Sequence, residues 1–222
     1  MGMRFRDREE AGRRLAEVLP QFRGRPDTVV LGLARGGVPV AAAVAEELQL
    51  PFGALPVRKL GVPGQEETAF GALVWSNGTV VRILNRPFMA RLLELGIPAS
   101  SLEQVESLGR TELQRRAEGY PGAAHDFEGK TVILVDDGVA TGASMRAAVE
   151  AVRGAGAATV IVAVPLASLH AQTALERLTG GVFSLHIPGR FRSVGSYYRT
   201  FEQVHDADVM HLLGARTDRE AD

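Results

Sequence analysis

The sequence has no cysteine among its 222 residues, and it lacks a stretch of about 20 mainly apolar residues such as a membrane-spanning helix needs. Without cysteine, a disulfide framework, a thiolate metal site and a cysteine nucleophile are excluded. The N-terminus, MGMRFRDREEAGRRL, is charged throughout, whereas a secretory signal needs an apolar stretch of about 7–15 residues. We therefore expect a cytoplasmic protein with no membrane partner.

The charge is balanced, with 25 basic and 26 acidic residues and a formal net charge of −1. Together with 45% hydrophobic residues, this indicates a globular protein with a sizeable core. At about 100–200 residues per domain, the length favours a single domain over residues 1–222. Nucleic acid is not expected as a partner, and the oligomeric state, including a homo-oligomer, stays open.

Three apolar, β-branched runs at residues 28–33, 131–137 and 159–164 are each followed by a helical pattern. Continuous apolar strands that alternate with helices are typical of a parallel sheet covered on both faces. We therefore predict an α/β fold with an open, mostly parallel twisted sheet, helices on both faces and a small C-terminal hood. Helices are expected at residues 7–19, 38–48, 98–118, 144–153 and 168–178.

A hairpin is predicted where AFGALVW and GTVVRIL flank the turn Ser76-Asn77-Gly78. Both runs are rich in β-formers, and an Asn-Gly pair is a strong hairpin signal. The hairpin would extend the sheet beside the strand that begins near Pro51.

The densest chemical signal is VILVDDGVATGAS at residues 132–144. A buried strand ends in Asp136 and Asp137, and a turn of small residues then opens a helix near Ser144. Backbone N–H groups of such a turn can form a concave nest, to which the helix adds the positive end of its dipole. This pattern predicts a phosphate-binding loop.

The sequence does not match two other common phosphate-binding motifs. A Walker loop needs a lysine where this chain has Ala143, and the dinucleotide fingerprint G-x-G-x-x-G occurs nowhere. The plain alternative is a strand-turn-helix whose aspartates only cap the helix. However, two carboxylates beside an anion cradle repel a phosphate unless sugar hydroxyls or Mg²⁺ lie between them, and a phosphorylated sugar supplies such hydroxyls.

This segment closely resembles the type I phosphoribosyltransferases, whose signature is an apolar strand, an acidic pair and a T-G-x-[ST] loop. The resemblance covers about residues 28–201 and implies that Asp136 and Asp137 hold the ribose hydroxyls of phosphoribosyl pyrophosphate (PRPP). It implies a 5′-phosphate loop at residues 140–144. The substrate-binding residues implied here are Gly138, Val139, Ala140, Thr141, Gly142, Ala143 and Ser144.

A second loop, GLARGGVPVA, resembles the family's pyrophosphate loop after the first core strand. A glycine pair before a helix is common in proteins and is weak evidence by itself. Its occurrence together with the first motif supports the resemblance. Backbone N–H groups would bind the pyrophosphate, and the arginine would add a full charge. The residues nominated are Ala34, Arg35, Gly36 and Gly37.

Three further segments resemble family elements with less specificity. VRKL nominates Lys59 and then Arg58 as contacts to the pyrophosphate, although solvated edge-strand charges would look the same. Residues 110–129 would form a lid, and FRSVGSYYRTF would belong to a hood built near the N-terminus and at about residues 187–213. An exposed basic helix end and ordinary aromatic packing are the alternatives. The residues nominated are Arg115, Arg116 and Tyr120 in the lid and Phe191, Tyr197, Tyr198 and Phe201 in the hood.

One departure concerns the acceptor. Family members that act on 6-oxopurines carry an aspartate as general base where this chain has Ala140. The resemblance therefore points away from hypoxanthine and guanine, and any acid or base must come from elsewhere.

The resemblance implies transfer of ribose 5-phosphate from PRPP to a nitrogenous base with release of pyrophosphate. Mg²⁺, bound mainly through PRPP, would serve as cofactor without a protein metal site. The proposed catalytic residues are Asp136, Asp137, Arg35, Lys59, Arg115 and Arg116.

The alternative is a PRPP-sensing regulator that keeps the fold without catalysis. It would need a nucleic-acid surface, which the balanced charge and the absence of a helix-turn-helix before residue 28 disfavour. A phosphatase of the haloacid dehalogenase type is excluded because Gly138 breaks the D-x-D motif. Five arginines near the N-terminus nevertheless form a basic patch: Arg4, Arg6, Arg8, Arg13 and Arg14.

Overall fold

The computed structural model of the chain describes residues 4–76, 78–120 and 128–217. The strands in these ranges are β1 (Thr28–Ala34), β2 (Phe52–Val62), β3 (Gln65–Ser76), β4 (Thr79–Leu84), β5 (Thr131–Val135), β6 (Thr159–Leu166) and β7 (Gly181–His186). The α-helices are α1 (Arg8–Ala16), α2 (Gly37–Leu48), α3 (Arg86–Glu94), α4 (Ala99–Gly119), α5 (Ala143–Gly154), α6 (Leu169–Glu176) and α7 (Asp206–Thr217).

The strands form one sheet in the order β4-β3-β2-β1-β5-β6-β7. β2, β1, β5, β6 and β7 pair in parallel, and β3 and β4 extend the sheet as an antiparallel meander. β1 and β5 are apolar along their length because helices cover them on both sides. The predicted fold class, an open and mostly parallel α/β sheet, is confirmed.

Helices cover the two faces of the sheet through alternating side chains of each strand. In β6, Val160, Val162 and Val164 pack with α5 and α6, whereas Ile161 and Ala163 pack with α1 and α2. Successive side chains of a strand point to opposite faces, so one apolar run serves both layers. β1 and β5 are adjacent and parallel, which places the loops after them at the same edge of the sheet.

The predicted hairpin is confirmed, because β3 and β4 pair with Ser76 opposite Thr79; Asn77 itself lies outside the described residues. Five predicted helices correspond to α1, α2, α4, α5 and α6. α3, α7 and β7 fall outside the predicted helices and strands. α3 is short and follows β4 directly, with the Asn85 side chain accepting from the Phe88 N–H, and β7 is a half-buried edge strand.

The N-terminal end of the described chain pairs with a segment that follows β7. The Phe5 N–H donates to the Tyr197 carbonyl, and the Arg199 N–H donates to the Phe5 carbonyl. Residues 4–6 therefore lie against residues 196–200, in the region expected to form a hood. Across residues 4–76, 78–120 and 128–217, no helix combines the length and apolar character needed to cross a bilayer.

Candidate functional site

The acidic pair lies directly beyond the buried end of β5. Asp136 Oδ1 accepts a hydrogen bond from the Asp137 N–H at 2.9 Å, which turns the chain sharply after Val135. Open parallel sheets bind ligands beyond the carboxyl ends of their strands, and the pair occupies such a position.

The loop after β1 packs directly against this pair. A β-carbon added to Gly36 would stand 2.5 Å from Asp137 Oδ2, and one added to Gly37 would stand 2.5 Å from the Val135 carbonyl. The Ala34–Arg35 peptide bond in this loop is cis. The glycine pair is therefore required by close approach of the two loops, which brings the two predicted motifs into contact.

Arg8, at the first turn of α1, forms a mostly buried ion pair with Asp137. Its Nε and Nη2 atoms lie 2.9 and 2.8 Å from Asp137 Oδ2, and the two side chains are only 12% and 13% exposed. Arg8 Nη1 also donates to the Glu202 carbonyl at 2.7 Å. No local pattern in the sequence marks this contact, because Arg8 and Asp137 are 129 positions apart in the sequence.

This pairing corrects the prediction of an N-terminal basic patch. Arg8 belongs to the acidic site, and several of the other arginines have nearby acidic partners along the chain. Such neutralised charges attract a polyanion less than a free basic patch would. The ion pairs are Arg6 with Asp7, Arg13 with Glu9 and Arg14 with Glu10, while Arg4 donates to the Ser196 carbonyl.

The two carboxyl groups differ in their electrostatic surroundings. Burial raises the pKa of Asp136 well above its usual value, and the adjacent Asp137 raises it further. Burial also raises the pKa of Asp137, but the Arg8 guanidinium opposes that rise. Proton affinity is therefore higher than usual in this pair, and a ligand with hydroxyl donors or positive charge would favour the ionised forms.

Two cavities meet at Asp136. The larger, about 630 Å³, is flanked by Asp136 and Asp137, by four arginines and by the segment 201–204. The smaller, about 130 Å³, lies between Lys59, Asp136 and the predicted phosphate loop. The arginines of the larger cavity are Arg8, Arg35, Arg58 and Arg116.

The predicted phosphate loop lines the smaller cavity along its whole length, from Gly138 through Ser144. Its base is tied to β6, since the Val139 N–H donates to the Leu166 carbonyl at 2.9 Å. Gly142 has a φ of +79° and caps the N-terminus of α5, so the helix dipole is directed at this loop.

Lys59 and Arg58 lie on opposite faces of β2. Lys59 lines the smaller cavity together with the phosphate loop, whereas Arg58 faces α4 and lies 2.6 Å from Glu112. Arg58 also lines the larger cavity. Strand alternation thus divides the two nominated cations between the two cavities.

The two nominated tyrosines of the expected hood, Tyr197 and Tyr198, do not line the larger cavity. Tyr198 is 1% exposed, packs against Phe5, and donates from its hydroxyl to the Asp137 carbonyl at 2.6 Å. Tyr197 lies beside His186 and Phe191, away from both cavities. The expectation that these rings stack on a base is not met in this conformation, because packing and hydrogen bonding occupy them.

The C-terminal end of α4 holds the nominated lid residues, while residues 121–127 lie outside the described ones. Tyr120 is 4% exposed and donates to Asp206 at 2.6 Å, so it does not face a ligand. Although burial opposes ionisation, the Tyr120 hydroxyl and Arg116 lower the pKa of Asp206. Arg116 is 14% exposed and lines the larger cavity, whereas Arg115 is 67% exposed.

Residues 6–190 match the phosphoribosyl transferase domain. The chain belongs to this family. Two curated proteins of Mycobacterium tuberculosis, from strains CDC 1551 / Oshkosh and ATCC 25618 / H37Rv, bear the name "Putative phosphoribosyl transferase". Each is 42% identical over 211 residues, which cover 94% of this chain and 46% of the relative. The chain therefore spans about half the length of the curated relatives it matches.

The chain is also similar to solved structures. The crystal structure of TT1426 from Thermus thermophilus is 42% identical, with 95% of this chain and 98% of that chain covered and a TM-score of 0.76. The structure of the AQ2163 protein from Aquifex aeolicus, at 12% identity, coverage of 85% and 78% and a TM-score of 0.52, shows similarity of fold alone.

Proposed function

We propose that this member of the phosphoribosyl transferase family is an Mg²⁺-dependent phosphoribosyltransferase. It transfers ribose 5-phosphate from PRPP to a nitrogenous base and releases pyrophosphate. The observation that carries the proposal is the position of Asp136, which borders both the phosphate-loop cavity and the arginine-lined cavity. This order of phosphate loop, carboxylates and arginines matches PRPP, in which a ribose carries a phosphate at one end and a pyrophosphate at the other.

Each part of PRPP has a counterpart in the site. The loop 138–144 and the N-terminus of α5 bind the 5′-phosphate through backbone N–H groups. Asp136 and Asp137 accept hydrogen bonds from the ribose hydroxyls. Arg35 and the backbone of residues 34–37 bind the pyrophosphate, with further positive charge from Lys59, Arg58 and Arg116.

The donor set fits a cation that arrives with the substrate. In the described part of the chain, no three His, Asp or Glu side chains cluster as a metal site would require. Asp136 and Asp137 are the carboxylates that could add ligands to Mg²⁺ beside those of PRPP. When bound, Mg²⁺ would neutralise charge that develops on the leaving pyrophosphate.

Bond cleavage at the anomeric carbon leaves positive charge on the ribose, as in glycoside hydrolysis. The carboxylates of Asp136 and Asp137 stabilise this charge, and the surrounding arginines stabilise the departing anion. Ala140 has no proton to give or take. We assign recognition of the acceptor to the segment 201–204, because it lines the larger cavity together with Asp137.

The experiment is a screen of purine and pyrimidine bases with PRPP and Mg²⁺, monitored by pyrophosphate release, together with calorimetry of PRPP binding. We expect PRPP binding that depends on Mg²⁺ and turnover with one class of base. Absence of PRPP binding at millimolar concentrations would contradict the proposal. Binding without turnover for any base would support the PRPP-sensing alternative instead.

A further inference from the structure

Arg8 is bound on every side of its guanidinium group. Nε donates to Asp137 Oδ2, Nη2 lies 2.8 Å from the same oxygen, and Nη1 donates to the Glu202 carbonyl. The guanidinium carbon lies 4.0 Å from the centre of the Phe201 ring, within the range of a cation–π contact. These contacts connect the acidic pair to the segment that forms the far wall of the larger cavity.

The backbone of Arg8 is held as firmly as its side chain. Arg8 begins α1 directly after Asp7, whose side chain accepts from the Glu10 N–H at 2.8 Å and caps the helix. Neighbouring residues 5–6 pair with residues 197–200. With both ends fixed and 12% of the side chain exposed, Arg8 is built into the site and is not a loose surface charge.

Arg8 determines which oxygen of Asp137 is available to a ligand. Its Nε and Nη2 atoms lie 2.9 and 2.8 Å from Oδ2, which also lies against Gly36, so Oδ1 is the oxygen left to accept from a ligand hydroxyl. A guanidinium fork fixes the rotation of a carboxylate better than a single ammonium donor does.

The position of Asp137 also indicates which hydroxyl it accepts. Asp136 borders the phosphate-loop cavity, whereas Asp137 borders only the larger cavity. The acceptor joins ribose at C1, next to the 2-hydroxyl, while the 3-hydroxyl lies toward the 5′-phosphate. The carboxylate on the acceptor side therefore matches the 2-hydroxyl.

We propose that Arg8 is a positioning residue, which holds Asp137 so that Oδ1 accepts a hydrogen bond from the ribose 2-hydroxyl. The inference rests on the proposed function, because it assigns ribose to this site. Arg8 acts through Asp137 and through the wall at Phe201 and Glu202, and it does not itself contact the reacting atoms.

The test compares binding of ribose 5-phosphate and 2-deoxyribose 5-phosphate by calorimetry. The two ligands carry the same phosphate, so general effects of charge on anion binding cancel in the ratio of their affinities. A hydrogen bond to a charged group is worth about 1.5–3 kcal/mol, so wild type should prefer ribose 5-phosphate by about 10- to 100-fold. In Arg8→Met the ratio should fall close to one.

Two further variants make the result specific. Arg13→Met removes an exposed arginine from the same helix, one paired with Glu9, and should leave the ratio unchanged. Arg8→Lys keeps the charge without the fork, so it should recover part of the preference. If Arg8→Met does not fold, Arg8→Lys still tests the inference, because its ratio must lie below that of wild type.

The outcomes separate this inference from the proposed function. Wild type that binds neither PRPP nor ribose 5-phosphate would overturn both. Wild type that binds PRPP and prefers ribose 5-phosphate, while both Arg8 variants keep the full preference, would overturn the inference alone. An equal loss of affinity for the two sugars in Arg8→Met would likewise overturn it, since that result would indicate a general structural or charge effect.

Discussion

Gly36 lies so close to Asp137 that a β-carbon on Gly36 would stand 2.5 Å from Asp137 Oδ2. The backbone of Gly36 has a φ of −59°, which any residue adopts, so only this contact requires glycine. The loops after β1 and β5 therefore constrain each other, and a larger residue at position 36 would displace the Asp137 carboxylate.

Gly36→Ala tests this constraint. The added methyl group should push the Asp137 carboxylate away from Arg8, lower the free energy of unfolding by about 1–3 kcal/mol, and weaken PRPP binding. Thermal unfolding and calorimetry measure the two effects. Gly154→Ala is the control, because a β-carbon there meets nothing within 4 Å; equal behaviour of the two variants would contradict the constraint.

Asp136→Asn should separate stability from binding. The folded-state pKa of Asp136 is raised above its ordinary value of 3.8, so the folded state holds more protons than the unfolded state between these two values. Stability contributed by this group therefore falls as pH rises through that window. We expect the variant to be more stable than wild type at neutral pH, with the difference shrinking at acid pH, and to bind PRPP about 10- to 100-fold more weakly.

Chemical unfolding at a series of pH values checks this prediction. Asp27→Asn is a control of opposite sign, because the Arg25 ion pair lowers the pKa of the exposed Asp27. A variant Asp136→Asn that is less stable than wild type at neutral pH would show that the ionised carboxylate stabilises the fold.

Gly142→Val should abolish binding of ribose 5-phosphate. Gly142 has a φ of +79°, where a side chain costs about 1–2 kcal/mol of strain, and it lies in the phosphate loop. Gly24→Val imposes a similar strain at a φ of +65° in open space outside both cavities. Both variants should lose stability, Gly142→Val the more so because its β-carbon would stand 3.5 Å from the Ala171 β-carbon. Only Gly142→Val should lose binding, as calorimetry will show; retained affinity would place the phosphate elsewhere.

Alanine substitutions of the adjacent residues Arg116 and Arg115 should have different effects on turnover. Arg116 is 14% exposed and lines the larger cavity, so Arg116→Ala should slow turnover by about 10- to 100-fold, with a smaller loss of PRPP affinity. Arg115 is 67% exposed, and Arg115→Ala should leave both unchanged. Steady-state kinetics with the acceptor found in the screen of bases measures the difference. Equal effects of the two substitutions would contradict a role of Arg116 in the larger cavity.

Arg58 and Lys59 show how much of the site the local sequence pattern of a strand predicts. The sequence VRKL nominates Lys59 and Arg58 together, but β2 presents them to different cavities. The alternation of a strand predicts that neighbouring side chains point to opposite faces of the sheet, but it does not predict which face the predicted phosphate loop lies on. That assignment depends on α4 and α5 packing against opposite sides of the same strand.

The burial of Tyr120 and Tyr198 is a second feature that the local sequence does not predict. An aromatic cluster near a chain end predicts either a ligand surface or packing, and composition does not separate the two. Tyr198 packs on Phe5 and donates to Asp137, and Tyr120 donates to Asp206. These partners lie far away in the sequence, so only contacts between distant segments select packing.

The sequence by itself determined the open parallel sheet, the acidic pair after β5, the small-residue turn before α5 and the glycine pair before α2. Each is a local pattern, in which burial, turn conformation and hydrogen-bonding groups follow from neighbouring residues. Only the tertiary structure decided that Arg8 holds Asp137 and that Gly36 lies against it. A charge or a glycine is visible in the sequence, but its partner is chosen by how distant segments cross, because such contacts depend on the packing of the whole chain.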